Sequence, residues 1–205
     1  MQKEVNQQIS EVVTKIKDTT GNPAPLGLFA FATTTIMLCL HNAGVFGMSS
    51  AILGMALFFG GLAQLCVGIM EWKKGNTFGT VAFTSYGAFW LATAFLVALP
   101  KLGWGDGPDA NAFGAYLLVW GLFSLVLFIG TFKLSRALQA VFGTLVVTFI
   151  LLGIGSIAGQ GVITQVGGVL GIICGFCAFY TASGLVLNEV FQKTVLPLGP
   201  IVAKK

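Results

Sequence analysis

The sequence predicts an all-α integral membrane protein, a bundle of six transmembrane helices preceded by a short amphipathic helix. Charged residues make up only 9% of the 205 residues, whereas ordinary soluble domains carry about 25%. Hydrophobic residues make up 56%, and the mean hydropathy is +0.89. A soluble chain of this length could not bury that much apolar surface. The spacing of the few charges then predicts the number of helices.

Long intervals without charge set that number. Residues 19–70 and 137–188 contain no Asp, Glu, Lys or Arg, and each interval is long enough for two crossings, because one crossing needs about 20 residues. Stretches rich in helix breakers, HNAGVFGMSS at 41–50 and GSIAGQGVITQ at 155–165, mark the two hairpins. Two shorter uncharged intervals hold one helix each. The predicted helices are 26–41, 49–70, 80–99, 111–130, 137–157 and 165–187.

The basic residues predict the orientation. With six crossings both termini lie on one side, and ten of the eleven basic residues fall on that side. They are Lys3, Lys15, Lys17, Lys73, Lys74, Lys133, Arg136, Lys193, Lys204 and Lys205, and Lys101 alone falls opposite. Since basic loops stay in the cytoplasm, both termini are predicted to be cytoplasmic, and the short tails fit a prokaryotic inner membrane. The net charge of +4 is thus a topology signal and indicates no nucleic-acid partner.

Residues 1–21 predict a separate element before the first crossing. Apolar side chains recur there at helical spacing among polar ones, which is typical of an amphipathic helix on a membrane surface. They are Val5, Ile9, Val12, Val13 and Ile16. The prolines of NPAP at 22–25 stop that helix, and Pro25 suits the first turn of the next one. The six-helix domain is predicted over 22–190, with a cytoplasmic tail at 191–205.

Five blocks of sequence stand out at the entry, middle and exit of the predicted bundle. They are NPAPLGLFAF at 22–31, HNAG at 41–44, GGLAQLCVGIMEWKKGNTFG at 60–79, FTSYGAFWL at 83–91 and VLPLG at 195–199. In this order they resemble the acetate uptake transporters, the YaaH-type succinate–acetate permeases. The resemblance covers nearly everything after residue 20. It implies a lipid-embedded homo-oligomer, a hexamer, in which each protomer passes small monocarboxylates such as acetate, with succinate as a further substrate.

The same resemblance implies an apolar constriction midway along the path, formed by Phe31, Tyr86 and Leu145. Each lies in an odd-numbered predicted helix, and superposing those helices brings the three into register. Such a ring would sieve by size and exclude water. From the residues alone, ordinary lipid-facing or core packing is the better explanation of Phe31 and Leu145. Tyr86 is more informative, because its hydroxyl could touch a permeant while its ring narrows the path.

Polar side chains inside a membrane are costly unless they meet a partner or a path. The resemblance implies that Thr34, Gln64 and Ser85 supply polar contacts near the constriction, and Thr84 and Asn42 are further candidates for the path. Hydroxyls are explained as readily by bonds to their own helix carbonyls, whereas the amide of Gln64 needs several partners. No Lys or Arg lies deep in a predicted helix, so a carboxylate would be held weakly.

Two residues are candidates for proton coupling. His41 lies near the outer end of the first predicted helix and titrates near physiological pH; a helix-end contact with Asn42 or a loop carbonyl is the structural alternative. Glu71 lies near the inner end of the second helix, and its alternative is an ion pair or helix-end contact beside Lys73 and Lys74. The family motif around GNTF, at 75–78, favours a functional Glu71.

Several functions are excluded. An intramembrane enzyme needs a nucleophile with its base, or clustered metal ligands, and one histidine with no Asp in any predicted helix does not supply them. No enzyme, metal or cofactor is therefore predicted. CGFC at 174–177 lacks the structural context of a redox motif. The leading functional hypothesis is transport, by a channel or by a proton-coupled permease. The alternative is a membrane sensor or scaffold without flux.

Two glycine stripes predict close helix contacts, either within one bundle or between protomers. They are Gly54, Gly61 and Gly68 in the second helix and Gly167, Gly171 and Gly175 in the sixth.

Overall fold

The computed structural model describes residue 2 and residues 20–201, and six helices in this part are long and apolar enough to cross a membrane. The six predicted helices are confirmed, and most helix ends lie a few residues beyond the predicted ones. The amphipathic helix predicted within residues 1–21 lies outside the described residues, because its apolar positions, from Val5 to Ile16, all fall between residues 3 and 19. The helices are α1 (Ala24–Asn42), α2 (Ser50–Lys73), α3 (Thr77–Ala98, continued by a 3-10 turn at Leu99–Leu102), α4 (Ala110–Thr131), α5 (Arg136–Ala158) and α6 (Gly161–Val190).

Side chains before the helices fix where several of them begin. Asp109 accepts hydrogen bonds from the backbone N–H groups of residues 111 and 112, both at 2.9 Å, and so caps α4. Asn76 caps α3 and Ser135 caps α5 in the same way. Each cap satisfies donors that the first turn of a helix leaves free. Pro25 stands in the first turn of α1, as predicted.

The helices surround a common centre. Helix α1 packs against α2 and α6, α5 packs between α4 and α6, and α2 packs against α3. The α3–α4 seam is made largely by aromatic side chains, with Tyr86 and Phe89 of α3 against Tyr116, Trp120 and Phe123 of α4. Large rings keep these two backbones apart, so the seam leaves room inside the bundle.

The glycine stripe of α6 packs within the protomer. A Cβ on Gly175 would lie 2.5 Å from Cγ1 of Ile36 and 3.0 Å from the Ala32 carbonyl of α1, and one on Gly171 would strike Cys39 of the same helix. Gly167 faces Leu151 and Leu152 of α5. Small residues let helix backbones approach closely in lipid. Of the two alternatives, this stripe therefore serves contacts inside one bundle.

The stripe of α2 behaves similarly at two of its three positions. A Cβ on Gly61 would lie 2.5 Å from Cδ2 of Leu91, and one on Gly68 would strike the Thr84 hydroxyl, both on α3. Gly54 has no neighbouring atom within 4 Å. The middle of α2, Met55–Ala63, is a π-helix, an irregularity that is frequent at functional sites and that the sequence analysis did not predict.

The residues after α6 fold back under the bundle. Oδ1 of Asn188 accepts from the backbone N–H groups of Val195 (2.6 Å) and Leu196 (2.9 Å), and its Nδ2 donates to the Leu196 carbonyl at 2.8 Å. The backbone N–H of Arg136 donates to the Gly199 carbonyl at 2.9 Å. The region predicted as a tail thus starts as a packed segment, residues 191–201, held against α5 and α6.

Candidate functional site

A cavity of about 550 Å³ enters the bundle from the face that carries Lys73, Lys74, Lys133 and Arg136, here the basic face. Near that face it is lined by Asn76 before α3, Asn188 of α6 and the packed segment from Thr194 to Pro200. Deeper in, its lining becomes apolar. The deeper residues include Leu28, Ala82, Phe83, Leu138, Val141 and Phe142.

A second cavity, of about 270 Å³, enters from the opposite face. Its outer part is lined by His41 and Asn42 at the end of α1, Met48, and Thr164 of α6. Its deep part combines aromatic and hydroxyl side chains. These are Thr35, Phe89, Trp90, Thr93, Thr148 and Phe149.

The two cavities meet at three residues that the sequence analysis grouped together, Phe31 of α1, Tyr86 of α3 and Leu145 of α5. Phe31 and Leu145 line both cavities, and Tyr86 lines the basic-side one. The ring centroids of Phe31 and Tyr86 are 5.6 Å apart. All three side chains are buried, with 3–5% of their surface exposed. We call this group the junction, because two of its three members line both cavities.

The hydroxyl of Tyr86 points toward α4 and forms a hydrogen bond there. Its oxygen lies 2.7 Å from Oγ of Ser124, a fully buried residue. Ser124 donates its own proton to the Trp120 carbonyl at 2.7 Å, so its oxygen accepts from Tyr86. Because a phenol has one proton to give, Tyr86 presents its ring to the junction and has no donor left for a molecule passing through.

Gln64 of α2 lines the basic-side cavity and is 1% exposed. Its Nε2 donates to the Gly27 carbonyl of α1 at 3.1 Å, while its Oε1 is buried without a hydrogen-bond partner. A carbonyl can only accept, so this contact identifies the nitrogen and leaves an oxygen acceptor unused. Leaving such an acceptor unpaired is costly.

Three further residues named in the sequence analysis line neither cavity in the described part of the chain. Thr34 is buried, and its hydroxyl lies 3.5 Å from the Met55 carbonyl of the π-helix. Thr84 packs against Gly68 of α2 and is exposed on the surface of the bundle. Ser85 is half-buried and lies one residue before Tyr86, which places it on a different face of the helix.

The two candidates for proton coupling lie at opposite ends of the bundle. His41 lines the opposite-side cavity, and its Nδ1 lies 3.0 Å from the Phe46 carbonyl, so that nitrogen carries the proton in the contact. Glu71 is 2% exposed and accepts from Nδ2 of Asn76 at 2.7 Å. Its other oxygen, Oε1, has no hydrogen-bond partner. Glu71 therefore fixes the position of Asn76, the residue that caps α3 and lines the basic-side cavity. Glu71 itself does not line that cavity.

Sequence reasoning missed several residues of the site. Ser124 and Asn188 are ordinary polar residues in apolar helices, and only the fold shows what they hold. Trp90 lies in the block FTSYGAFWL, one helical turn after Tyr86, and this spacing was the available signal. Cys174, the first thiol of CGFC, donates to the Val141 carbonyl at 3.3 Å, which is a packing contact between α5 and α6.

The electrostatics of the two cavities are simple. Among the described residues that line them there is no Asp, Glu, Lys or Arg, and His41 is the single ring that can carry a full positive charge. Apolar surface with hydroxyl and amide groups suits a small amphipathic molecule held briefly. It does not suit tight binding of an ion through opposite charge.

Six apolar crossing helices and two cavities that reach inward from opposite faces define a multi-pass membrane protein of the transporter and channel class. The family model described as the GPR1/FUN34/yaaH family matches residues 4–201. The chain belongs to this family, and the resemblance noted from the sequence blocks is confirmed.

Named relatives support this placement. The chain is 54% identical over 178 residues to the succinate-acetate/proton symporter SatP of Escherichia coli K12, an alignment covering 87% of this chain and 95% of that protein. It is 37% identical to acetate permease A of Emericella nidulans, over 87% of this chain and 65% of that protein. A solved structure of the bacterial acetate channel SatP superposes with a TM-score of 0.87 at 53% identity, covering 88% of this chain and all of the other. The family is thus one of transporters and channels and not of enzymes.

Proposed function

We propose that this protein moves small carboxylates, acetate first and succinate second, across the membrane through a path within each protomer. The observation that carries the proposal is the meeting of two cavities from opposite faces at Phe31, Tyr86 and Leu145. We propose that this junction is the constriction of the path. The names of the relatives, a symporter, a permease and a channel, supply the substrate class.

The junction would act as a sieve for size and for hydration. Three large side chains exclude bulk water. None of them offers a free hydrogen-bond donor, because the hydroxyl of Tyr86 donates to Ser124. A bare carboxylate is costly to hold in such a place, whereas the neutral acid is much less so. A two-carbon acid can lose part of its hydration and pass the junction. A branched or hydroxylated acid is too large and is blocked by the three side chains.

This chemistry favours a proton that travels on the substrate. The described lining offers no carboxyl group, and among the two candidates His41 lies at the outer end of its cavity while Glu71 lies behind Asn76. The protein then works as a channel for the acid and its anion, and proton coupling follows from protonation of the permeant. The side chain of Gln64 lines the basic-side cavity, and its buried, unpaired Oε1 is suited to accept a hydrogen bond from the acid.

We further propose that the basic face is cytoplasmic in a prokaryotic inner membrane. The support is the count of basic residues, because Lys101 is the one basic residue predicted on the other side. The hexamer implied by the family resemblance stays a prediction, as do polar contacts from Thr34, Thr84, Ser85 and Asn42 along the path.

Purified protein in liposomes tests the proposal. We expect labelled acetate to enter these liposomes faster than protein-free ones at every pH at which it is assayed. Imposing the pH gradient and the membrane potential separately then distinguishes the mechanisms: flux that follows the concentration of neutral acid supports a proton carried by the permeant, and flux that follows potential alone shows passage of the anion. A rate equal to that of empty liposomes would refute transport and favour a membrane sensor or scaffold.

A further inference from the structure

Tyr86 differs from the other two members of the junction because its side chain carries a polar group. The hydroxyl oxygen of Tyr86 lies 2.7 Å from Oγ of Ser124 on α4, and Ser124 in turn donates to the Trp120 carbonyl at 2.7 Å. In the described part of the chain, Ser124 is fully buried and lines neither cavity. A residue outside the path therefore holds a side chain that forms part of it.

Helix α4 packs against α5 and against α3 in different ways. Toward α5 the backbones are close, because a Cβ on Gly114 would lie 2.7 Å from the Gly153 carbonyl oxygen. Toward α3, Gly130 of α4 faces a side chain, and a Cβ there would lie 3.3 Å from the ring of Phe78. Small residues lock two helices together where their backbones touch. At the α3–α4 seam, side chains set the position of one helix against the other.

Aromatic rings surround Tyr86 at this seam. The ring centroids of Trp120 and Phe123 on α4 lie 6.0 and 5.7 Å from that of Tyr86, and the centroid of Phe31 on α1 lies at 5.6 Å. Ring contacts of this kind are favourable over a range of tilts and offsets, so they do not select one orientation. A hydrogen bond weakens steeply when it is misaligned. The bond to Ser124 is therefore the contact that fixes the orientation of the ring.

A second hydrogen bond joins the same two helices farther from the junction. Oγ1 of Thr93 lies 3.0 Å from the hydroxyl of Tyr116, which donates to the Phe89 carbonyl at 3.3 Å. Thr93 follows Tyr86 by seven residues, so this bond lies two helical turns away along α3. The bond between Tyr86 and Ser124 is thus not alone in holding α3 against α4, and its particular effect is on the ring.

We infer that Ser124 is a specificity-determining residue of this protein, which acts by positioning the ring of Tyr86 in the junction. Without the serine oxygen the buried phenol has no acceptor, and an unpaired buried donor is costly. The ring then turns until its hydroxyl meets water in the basic-side cavity, which Tyr86 lines. A turned ring no longer closes the junction against Phe31 and Leu145. The inference rests on the proposed function, because selectivity is defined only for a protein that transports.

Ser124→Ala removes the acceptor without changing a residue that lines the path. We expect the lactate-to-acetate flux ratio in proteoliposomes to rise about three- to fivefold, because the loss of one net hydrogen bond changes the population of ring orientations by about that factor. Tyr86→Phe keeps the ring and removes the donor, so it should give a similar rise. The double variant should not exceed the larger single effect, because both substitutions break the same bond.

Two controls remove hydroxyls that do not reach Tyr86. Thr131 follows Ser124 by seven residues on the same face of α4, is fully buried and donates to the Phe128 carbonyl of its own helix. Tyr116 lines neither cavity in the described part of the chain. Thr131→Val and Tyr116→Phe should both keep the wild-type flux ratio. If Tyr116→Phe raised the ratio as much as Tyr86→Phe, general loosening of the seam would explain the effect and the inference would be wrong.

A spectroscopic readout follows the ring without transport. The chain has three tyrosines, so in protein labelled with 3-fluorotyrosine the ¹⁹F resonance that disappears in Tyr86→Phe belongs to Tyr86. This resonance should have the same narrow shape in the wild type and in Thr131→Val, and it should broaden or split in Ser124→Ala. An unchanged line or an unchanged flux ratio in Ser124→Ala would overturn the inference. A changed line in a protein whose wild type passes neither acid would refute the proposed function and leave the positioning of the ring by Ser124 intact.

Discussion

Replacing Tyr86 and Leu145 together by alanine is expected to raise the lactate-to-acetate flux ratio at least about tenfold, because the junction then no longer sieves by size. Either single substitution should give a smaller change in the same direction. Both side chains are buried where the two cavities meet, so truncating them joins the cavities. The ratio is measured in proteoliposomes with both acids at equal concentration, and it is independent of the amount of folded protein.

The control is the same chemical change elsewhere in the core. Leu127 of α4 is 8% exposed and lines neither cavity in the described structure. Leu127→Ala should lose stability like any buried leucine, about 2–5 kcal/mol, and keep the wild-type flux ratio. If the double variant also kept that ratio, the assignment of the junction as the constriction would be wrong.

Gly168→Ala is expected to have the largest effect on folding. The added Cβ would strike the backbone nitrogen of Ala43 and lie 2.7 Å from the carbonyl carbon of Asn42 and 2.9 Å from the Cys39 carbonyl oxygen. Backbone atoms cannot rotate away as a side chain can, so α1 and α6 must separate. We expect a loss at or above the upper end of the roughly 1–3 kcal/mol typical of overpacking, seen as a lower melting temperature in detergent.

Gly161→Ala supplies a comparison within the same helix. No atom lies within 4 Å of a Cβ at this position, and alanine is the better helix former. This variant should melt at or slightly above the wild-type temperature. Equal melting of the Gly168→Ala variant and the wild type would mean that α1 and α6 do not cross as closely as described.

Sequence predicted the architecture because membrane folding leaves few choices. Apolar intervals near 20 residues must be helices, and Pro25 and Asp109 mark where two of them begin. Phe31, Tyr86 and Leu145 were brought together by the family resemblance and by a shared register. Composition alone would have left Phe31 and Leu145 among many buried side chains of the same kind.

What sequence did not predict depends on contacts between helices. The hydroxyl of Thr34 has the Met55 carbonyl as a hydrogen-bond partner, whereas the hydroxyl of Thr35 is buried without one. A run of three threonines does not predict this difference, because it depends only on the direction in which each side chain faces. The commitment of the Tyr86 hydroxyl to Ser124 joins residues 38 apart in sequence. The packed segment at 191–201 likewise depends on hydrogen bonds to residues of α5 and α6.

Accessibility of single cysteines tests most directly whether one path, divided at the junction, runs through each protomer. The native cysteines are first replaced; they are Cys39, Cys66, Cys174 and Cys177. Leu138→Cys lines the basic-side cavity and Leu152→Cys the opposite one. An impermeant thiosulfonate should modify the first from the basic face only and the second from the opposite face only, and each modification should block acetate flux. Full modification of either cysteine with undiminished flux, or modification of both from the same face, would contradict the account.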